Sequence, residues 1–279
     1  MQLLSRGYAQ WRPRLMGKDD FLCSCDFIRI HVSRCSSIER ILNDLKAPEE
    51  EKMKSLYERA LSSVLSIPEL TKEISKDVDR TFSSFAFFGA RGDGEGKARL
   101  TRLLLATCSF EDIGYVQGIN FIAASLLSHC EEHLAHFVMT SLFKSLKAAS
   151  VYSRSLKGVT FHSQYFFDQI CKRNLPETYQ ALQLKGVTAE MLFPNWFLTW
   201  GFDTVPLSYH IIIIRGLQDL KWEFIYSILL QLLRELSEVV RLLDMGETLM
   251  VLKKPDDSNF KLSFKYNFDW KVFFSKVST

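Results

Sequence analysis

Apolar residues recur at intervals of three and four along most of the chain, which is the spacing that one buried face of an α-helix requires. Three segments show this pattern most clearly, and each predicts a helix. Their stripes are Met53, Leu56, Tyr57, Ala60, Leu61 and Val64; Leu100, Leu103, Leu104 and Thr107; and Trp222, Ile225, Tyr226, Leu229, Leu230 and Leu233. A capping-box pattern from Ser36 to Glu39 predicts one more helix start.

Two segments predict strands instead. Residues 27–32 alternate in part, and apolar and polar residues alternate strictly from Phe260 to Trp270. Two such segments do not make a sheet protein, and no repeat of fixed period occurs. The pattern therefore predicts a mainly helical protein. The polar stretch Lys147–Gly158 is its candidate boundary between two halves.

Composition excludes several classes of protein. The 279 residues are 47% hydrophobic and 24% charged, which is enough for a core of one large or two small domains. A net charge of +3 lacks the basic excess of a nucleic-acid binder. Residues 113–130 hold no Asp, Glu, Lys or Arg, but their polar side chains favour a buried helix over a membrane span. Residues 1–17 predict no signal peptide, and six scattered cysteines favour free thiols in a reducing cytosol.

Two short motifs fail on inspection. Gly92–Lys97 lacks the first glycine of a phosphate-binding loop and has Ala98 in place of its Ser or Thr, so a solvent loop is expected. His129–His133 matches the letters H-x-x-E-H of a zinc protease. Because charged residues follow an apolar helix there, the end of one helix and the start of the next is the better interpretation.

Arg80 and Gln117 are polar residues in unusual surroundings. Arg80 follows Asp77 and Asp79 and precedes a run of phenylalanines, and Gln117 lies at the start of an apolar helix. Singly, they are interpreted as a structural ion pair and a satisfied core amide. Together they fit GTP hydrolysis, because arginine stabilises the charge on a transferring phosphate and the glutamine amide orients the attacking water.

Both segments resemble fingerprints of the TBC (Tre-2/Bub2/Cdc16) domain family, whose members are GTPase-activating proteins for Rab GTPases. Residues 74–81 match I-x-x-D-x-x-R, and residues 115–118 match Y-x-Q-G. Arg6 and Trp11 resemble the opening R-x-x-x-W motif, although their spacing is one residue longer. Residues 193–198 resemble a later family segment. The tail up to Trp270 departs from the family's closing helix.

The resemblance implies two catalytic fingers supplied in trans. Arg80 would enter the nucleotide site of a GTP-bound Rab, and Gln117 would orient water in place of the Rab's own glutamine. GTP and magnesium would both arrive with the Rab, so the chain would need no cofactor of its own and would have no independent hydrolase site. The implied partner excludes nucleic acid and membrane insertion.

Five further residues receive supporting roles from the same resemblance. Asp77 would hold the arginine loop, and Tyr115 and Gly118 would shape the glutamine turn. Thr81 completes the first motif, and Trp11 would pack behind the arginine loop.

The resemblance also implies an all-helical, V-shaped fold of two subdomains, residues 1–150 with both fingers and residues 151–279. A cytoplasmic protein recruited peripherally to endomembranes, with a role in vesicle trafficking, is the expected setting. Two alternatives stay open. One is a non-catalytic Rab-binding adaptor on the same fold, and the other is a helical scaffold unrelated to GTPases, in which Arg80 and Gln117 lie apart.

Overall fold

The computed structural model describes residues 36–64, 68–85, 87–89, 94–110, 113–256 and 266–277, and the regular elements within these ranges are helical. The first six helices are α1 (Ser36–Asp44), α2 (Glu50–Val64), α3 (Pro68–Val78), α4 (Glu95–Thr107), α5 (Ile119–Leu127) and α6 (Glu132–Leu146). Helices α2, α4 and α6 pack against one another, and α5 packs against both α4 and α6. Both candidate fingers lie in this half of the chain, in the turns after α3 and before α5.

The second half of the described chain consists mostly of short helices and includes one of 14 residues. These are α7 (Lys157–Tyr165), α8 (Lys172–Asn174), α9 (Pro176–Leu184), α10 (Ala189–Leu192), α11 (Pro194–Thr199), α12 (His210–Leu220), α13 (Trp222–Glu235), α14 (Ser237–Leu242), α15 (Met245–Lys253) and α16 (Trp270–Val277). A π-helical segment (Phe166–Cys171) follows α7 directly. Helix α11 packs against α5 and so connects this half to the finger segments.

The three apolar stripes coincide with α2, α4 and α13, which confirms those helices. Leu100, Leu103 and Leu104 of α4 are fully buried, so each leucine contributes about 2 kcal/mol of hydrophobic stabilisation. Helix α2 departs from its pattern at Leu56, whose side chain is 39% exposed. Helix α1 begins at Ser36, where the capping-box pattern places a helix start.

The prediction of a strand from Phe260 to Trp270 is wrong for residues 266–270, the part of this segment that the structure describes. Residues 257–265 lie outside the described residues, residues 266–269 are irregular, and Trp270 begins helix α16. Trp270, Phe273 and Phe274 are buried, and their spacing of three and four belongs to a helix. The aromatic alternation ahead of them does not continue past Trp270. The strand expected over residues 27–32 also lies outside the described residues.

The apolar stretch of residues 113–130 contains α5, a helix of only nine residues. Its side chains are largely buried within the protein. This confirms the prediction of a buried helix, which is based on the polar side chains among residues 113–130. Among the described helices, none combines the length and the apolar character that crossing a bilayer would require.

The middle of the polar stretch Lys147–Gly158 is buried in the protein. Val151 and Tyr152 are fully buried. The carbonyl of Tyr152 accepts a hydrogen bond from the N–H of Gly114 at 3.2 Å, and its hydroxyl donates to the carbonyl of Leu198 at 3.2 Å. Tyr152 therefore connects the segment before α5 to α11. The division of the chain into two subdomains near residue 150 stays a prediction.

Candidate functional site

Arg80 lies in the turn that ends α3. Its N–H donates to the carbonyl of Asp77 at 3.2 Å, which closes the turn. Its Nε and Nη2 donate to Asp77 Oδ1 at 2.9 and 2.5 Å. The Asp77 side chain is only 9% exposed, whereas the Arg80 side chain is 54% exposed. The arginine is thus held at its base by a buried carboxylate while much of its guanidinium side chain faces solvent.

The second oxygen of Asp77 is bound by Tyr115. The phenol donates to Asp77 Oδ2 at 2.6 Å, across 38 residues of sequence. Burial, with a smaller contribution from the hydrogen bond to Asp77, raises the pKa of Tyr115 well above its usual value, so the phenol stays protonated and remains a donor. One carboxylate therefore connects the arginine turn to the start of the glutamine segment.

Gln117 is exposed, in the turn just before α5. The interpretation of Gln117 as a satisfied core amide is therefore wrong. An exposed amide has both its carbonyl and its NH₂ available to a partner. The exposed position instead suits a side chain that contacts another molecule.

Gly118 is the residue that makes this turn possible. Its φ of 121° is disfavoured for a residue with a Cβ. A Cβ at this position would lie 2.9 Å from Leu198 Cβ and 3.0 Å from Leu198 O. The turn thus presses directly on α11, the helix formed by the later motif of residues 193–198. Sequence motifs that are 80 residues apart meet at this contact.

Asn120 is a site residue that sequence reasoning missed. It is fully buried near the start of α5. Its Oδ1 accepts from the N–H of Gly118 at 2.9 Å, and its Nδ2 donates to Thr81 Oγ1 at 2.8 Å. The available signal was an amide on the apolar stretch, because a buried amide needs partners. Its partners could not be identified without the fold.

Thr81 completes the connection on the arginine side. It is fully buried, and its hydroxyl donates to the carbonyl of Asp77 at 2.6 Å. Arg80 and Thr81 are therefore both bonded to Asp77, the first to its side chain and the second to its backbone. The two finger turns are joined twice, by the pairs Asp77–Tyr115 and Thr81–Asn120. Trp11 lies outside the described residues.

Aromatic rings pack beneath the arginine turn. Phe82 has a φ of 45°, a strained value for a bulky residue. Its ring lies 5.6 Å from the rings of Phe85 and Phe121 and 6.0 Å from that of His210. Strained backbone of this kind concentrates at functional sites when the surrounding packing maintains it.

The H-x-x-E-H segment spans two helices, as its alternative interpretation predicted. His129 follows the end of α5, and His133 lies in α6. The two ring nitrogens of His133 face different carboxylates, Glu50 at 3.3 Å and Glu131 at 3.6 Å. The two histidines do not share one helical face, so the zinc-protease arrangement is not formed.

The helical architecture has a match among solved structures. The crystal structure of the Ypt/Rab-GAP domain of Gyp1p superposes with a TM-score of 0.65 at 17% identity, over 81% of this chain and 79% of that one. At this identity the likeness shows the fold alone, and it confirms the all-helical fold class. The model of the family described as Rab-GTPase-TBC domain matches residues 29–240. The chain belongs to this family.

Curated relatives agree with this membership over part of their length. TBC domain-containing protein C4G8.04 of Schizosaccharomyces pombe is 31% identical over 155 residues, which are 54% of this chain and 20% of that protein. Small G protein signaling modulator 3 of Bos taurus is 35% identical over 150 residues, which are 53% of this chain and 19% of that protein. The chain thus spans about a fifth of the length of these relatives.

Proposed function

We propose that the protein is a GTPase-activating protein for a GTP-bound Rab-family GTPase, with Arg80 and Gln117 as its two catalytic fingers. Arg80 places its guanidinium against the charge that develops on the transferring phosphate. Gln117 accepts a hydrogen bond from the attacking water and donates one to the partner. GTP and magnesium belong to the partner, and this chain adds only side chains to the reaction.

One observation supports this proposal above the others. Arg80 and Gln117 are both exposed, yet the turns that present them are joined through buried hydrogen bonds. A structural ion pair alone would not need a second, exposed amide on a joined turn. Two polar groups held on one rigid base are what transition-state stabilisation requires, since positioned groups need not reorganise during the reaction.

The test is single-turnover GTP hydrolysis by a panel of purified Rab GTPases with this protein in excess. We expect acceleration of at least one Rab. Arg80→Ala should lower that acceleration by roughly three to five orders of magnitude, because this is what an arginine finger contributes. Gln117→Ala should lower it strongly as well.

Matched controls are available on the same chain. Arg59→Ala and Gln169→Ala each remove an exposed side chain of the same type away from the finger turns, and both should retain wild-type acceleration. Equal rates for the wild type and the Arg80→Ala, Gln117→Ala double variant would refute the proposal. GTP-dependent binding of a Rab without acceleration would instead identify a non-catalytic adaptor.

The expected cellular setting follows from the proposed partner. A protein that acts on Rab GTPases would work in the cytoplasm at the surface of endomembranes, in vesicle trafficking.

A further inference from the structure

The side chains of Thr81 and Asn120 meet at the point where the two finger turns are closest in the hydrogen-bond network. Thr81 directly follows Arg80, and Asn120 lies three residues after Gln117. Both side chains are fully buried. Their hydrogen bond, 2.8 Å from Asn120 Nδ2 to Thr81 Oγ1, spans 39 residues of sequence.

Each of the two side chains is also bonded to the backbone of its own turn. Thr81 Oγ1 donates to the carbonyl of Asp77, the residue that binds Arg80. Asn120 Oδ1 accepts from the N–H of Gly118, the residue after Gln117. A continuous chain of three hydrogen bonds therefore runs from the arginine turn to the glutamine turn. Because Gly118 has a φ that backbone preference does not fix, the turn needs such an external constraint.

We infer that Asn120 and Thr81 are positioning residues whose hydrogen bond fixes the glutamine turn relative to the arginine turn, so that the two fingers reach a partner as one unit. The inference rests on the proposed function, in which the two fingers act together. Neither side chain touches the reacting atoms, because both are buried. They act through the backbone of Asp77 and Gly118.

Thr81→Val tests this bridge most directly. Valine keeps the shape of threonine but has no hydroxyl, so Asn120 Nδ2 loses its acceptor. At saturating protein, the single-turnover rate of the stimulated GTPase should fall on the order of 10- to 100-fold, as expected for a small misplacement of catalytic groups. The concentration that gives half-maximal acceleration should stay close to that of the wild type. Thr81→Ser keeps the hydroxyl and should restore the rate.

Thr107→Val is the matched control. Thr107 is also fully buried, and its hydroxyl donates to a helix carbonyl, that of Leu103, at 2.8 Å. Its loss removes a buried hydroxyl of the same kind outside the finger network. Thr107→Val should therefore lower stability, though by less than Thr81→Val, which also leaves Asn120 Nδ2 without an acceptor. Its saturated rate should stay at the wild-type value. Equal losses of rate in both variants would show a general structural effect and overturn the positioning role.

Amide hydrogen exchange tests the bridge without any GTPase. Exchange of the peptide that covers residues 113–121 should be faster in Thr81→Val than in the wild type, Thr81→Ser or Thr107→Val, because Gly118 N–H depends on a correctly held Asn120. Unchanged exchange in Thr81→Val would overturn the inference. If Thr81→Val does not fold, Thr81→Ala removes the same hydroxyl and leaves a smaller side chain.

The two proposals fail in different ways. If Arg80→Ala abolishes acceleration while Thr81→Val accelerates like the wild type, the positioning role is wrong and the catalytic proposal stands. If the wild type accelerates none of the Rabs, the catalytic proposal is wrong, and the exchange measurement still decides whether the bridge holds the glutamine turn.

Discussion

Gly118 is the residue at which backbone conformation and close packing impose the same requirement. Its φ of 121° excludes most side chains, and α11 leaves no space for a Cβ. These two constraints can be separated by experiment, because Gly94 shows only the first of them. Gly94 has a φ of 81° and nothing within 4 Å of the position of a Cβ.

We predict that Gly118→Ala destabilises the protein by about 2–4 kcal/mol, since strained backbone costs about 1–3 kcal/mol and contact with Leu198 adds to it. Gly94→Ala should cost only the backbone part. Urea unfolding of both variants gives the difference. Losses of equal size would show that α11 yields easily, and that Leu198 does not constrain the glutamine turn.

The site residues that belong to a family motif could be predicted from the sequence, whereas Asn120, which belongs to neither quoted motif, could not. Asp77, Tyr115 and Gly118 were named through the family resemblance, and the structure brings them into one network. Asn120 was visible only as a polar residue in an apolar stretch. Its role depends on Thr81, 39 residues away, and contacts at such separation are a property of the fold rather than of local pattern.

Among the helices, Glu132 joins three elements of the first half, α2, α4 and α6. It lies at the start of α6 and is 14% exposed. It accepts two hydrogen bonds from Arg102 of α4, at 3.0 and 2.6 Å, and one from the hydroxyl of Tyr57 of α2. A carboxylate in the first turn also interacts favourably with the helix dipole.

We predict that Glu132→Ala lowers the free energy of unfolding by about 2–3 kcal/mol, the size of one or two hydrogen bonds to a charged group rather than of all three. The loss is limited because Arg102 is 39% exposed and keeps Glu95 at 3.7 Å as a second carboxylate. Glu131→Ala, at the neighbouring and more exposed position, should cost less than about 1 kcal/mol. Thermal or urea unfolding checks both values. Equal small losses would show that apolar packing alone joins α2, α4 and α6.

Helices with a regular apolar stripe were predictable, whereas the tail was not. Helices α2, α4 and α13 each present several turns of apolar residues at three and four. In the tail, aromatic residues alternate over many positions before the short helix α16 begins, so period two dominates the local pattern. In the described part of the tail, Phe268 packs on Trp270 and Phe273, so its ring belongs to a cluster at the start of α16.

At the scale of the whole molecule, burial favours the neutral form of four histidines among the described residues. Burial lowers the pKa of His129, His136 and His162 to about 4 and that of His210 to about 3. In the unfolded chain, histidine has a pKa of about 6.5. As the pH falls below 6.5, the unfolded state binds protons that the folded state does not. The free energy of unfolding therefore falls between pH 6.5 and about 4.

His129→Leu should reduce this acid sensitivity. Neither ring nitrogen of His129 has a hydrogen-bond partner within the described part of the chain, so leucine removes a proton-binding group without breaking a bond. We predict that the loss of stability between pH 6 and pH 4.5 becomes smaller by on the order of 1 kcal/mol per pH unit. Urea unfolding across this range measures the slope. Cys130→Ala, a buried neighbour, should keep the wild-type slope, and an unchanged slope in His129→Leu would contradict the prediction.

Because Arg80 and Tyr115 bind different oxygens of Asp77, the Arg80 side chain can change rotamer quickly. Arg80 occupies one carboxylate oxygen and Tyr115 the other, so a guanidinium that swings outward does not strip the buried carboxylate of every donor. When the guanidinium of Arg80 leaves Asp77, Tyr115 does not have to move and the backbone turn does not have to open. We expect Arg80 to alternate between its tethered and extended rotamers on the picosecond-to-nanosecond scale of exposed side chains. The arginine would then be ready at each encounter with a partner, and its release would never limit the reaction.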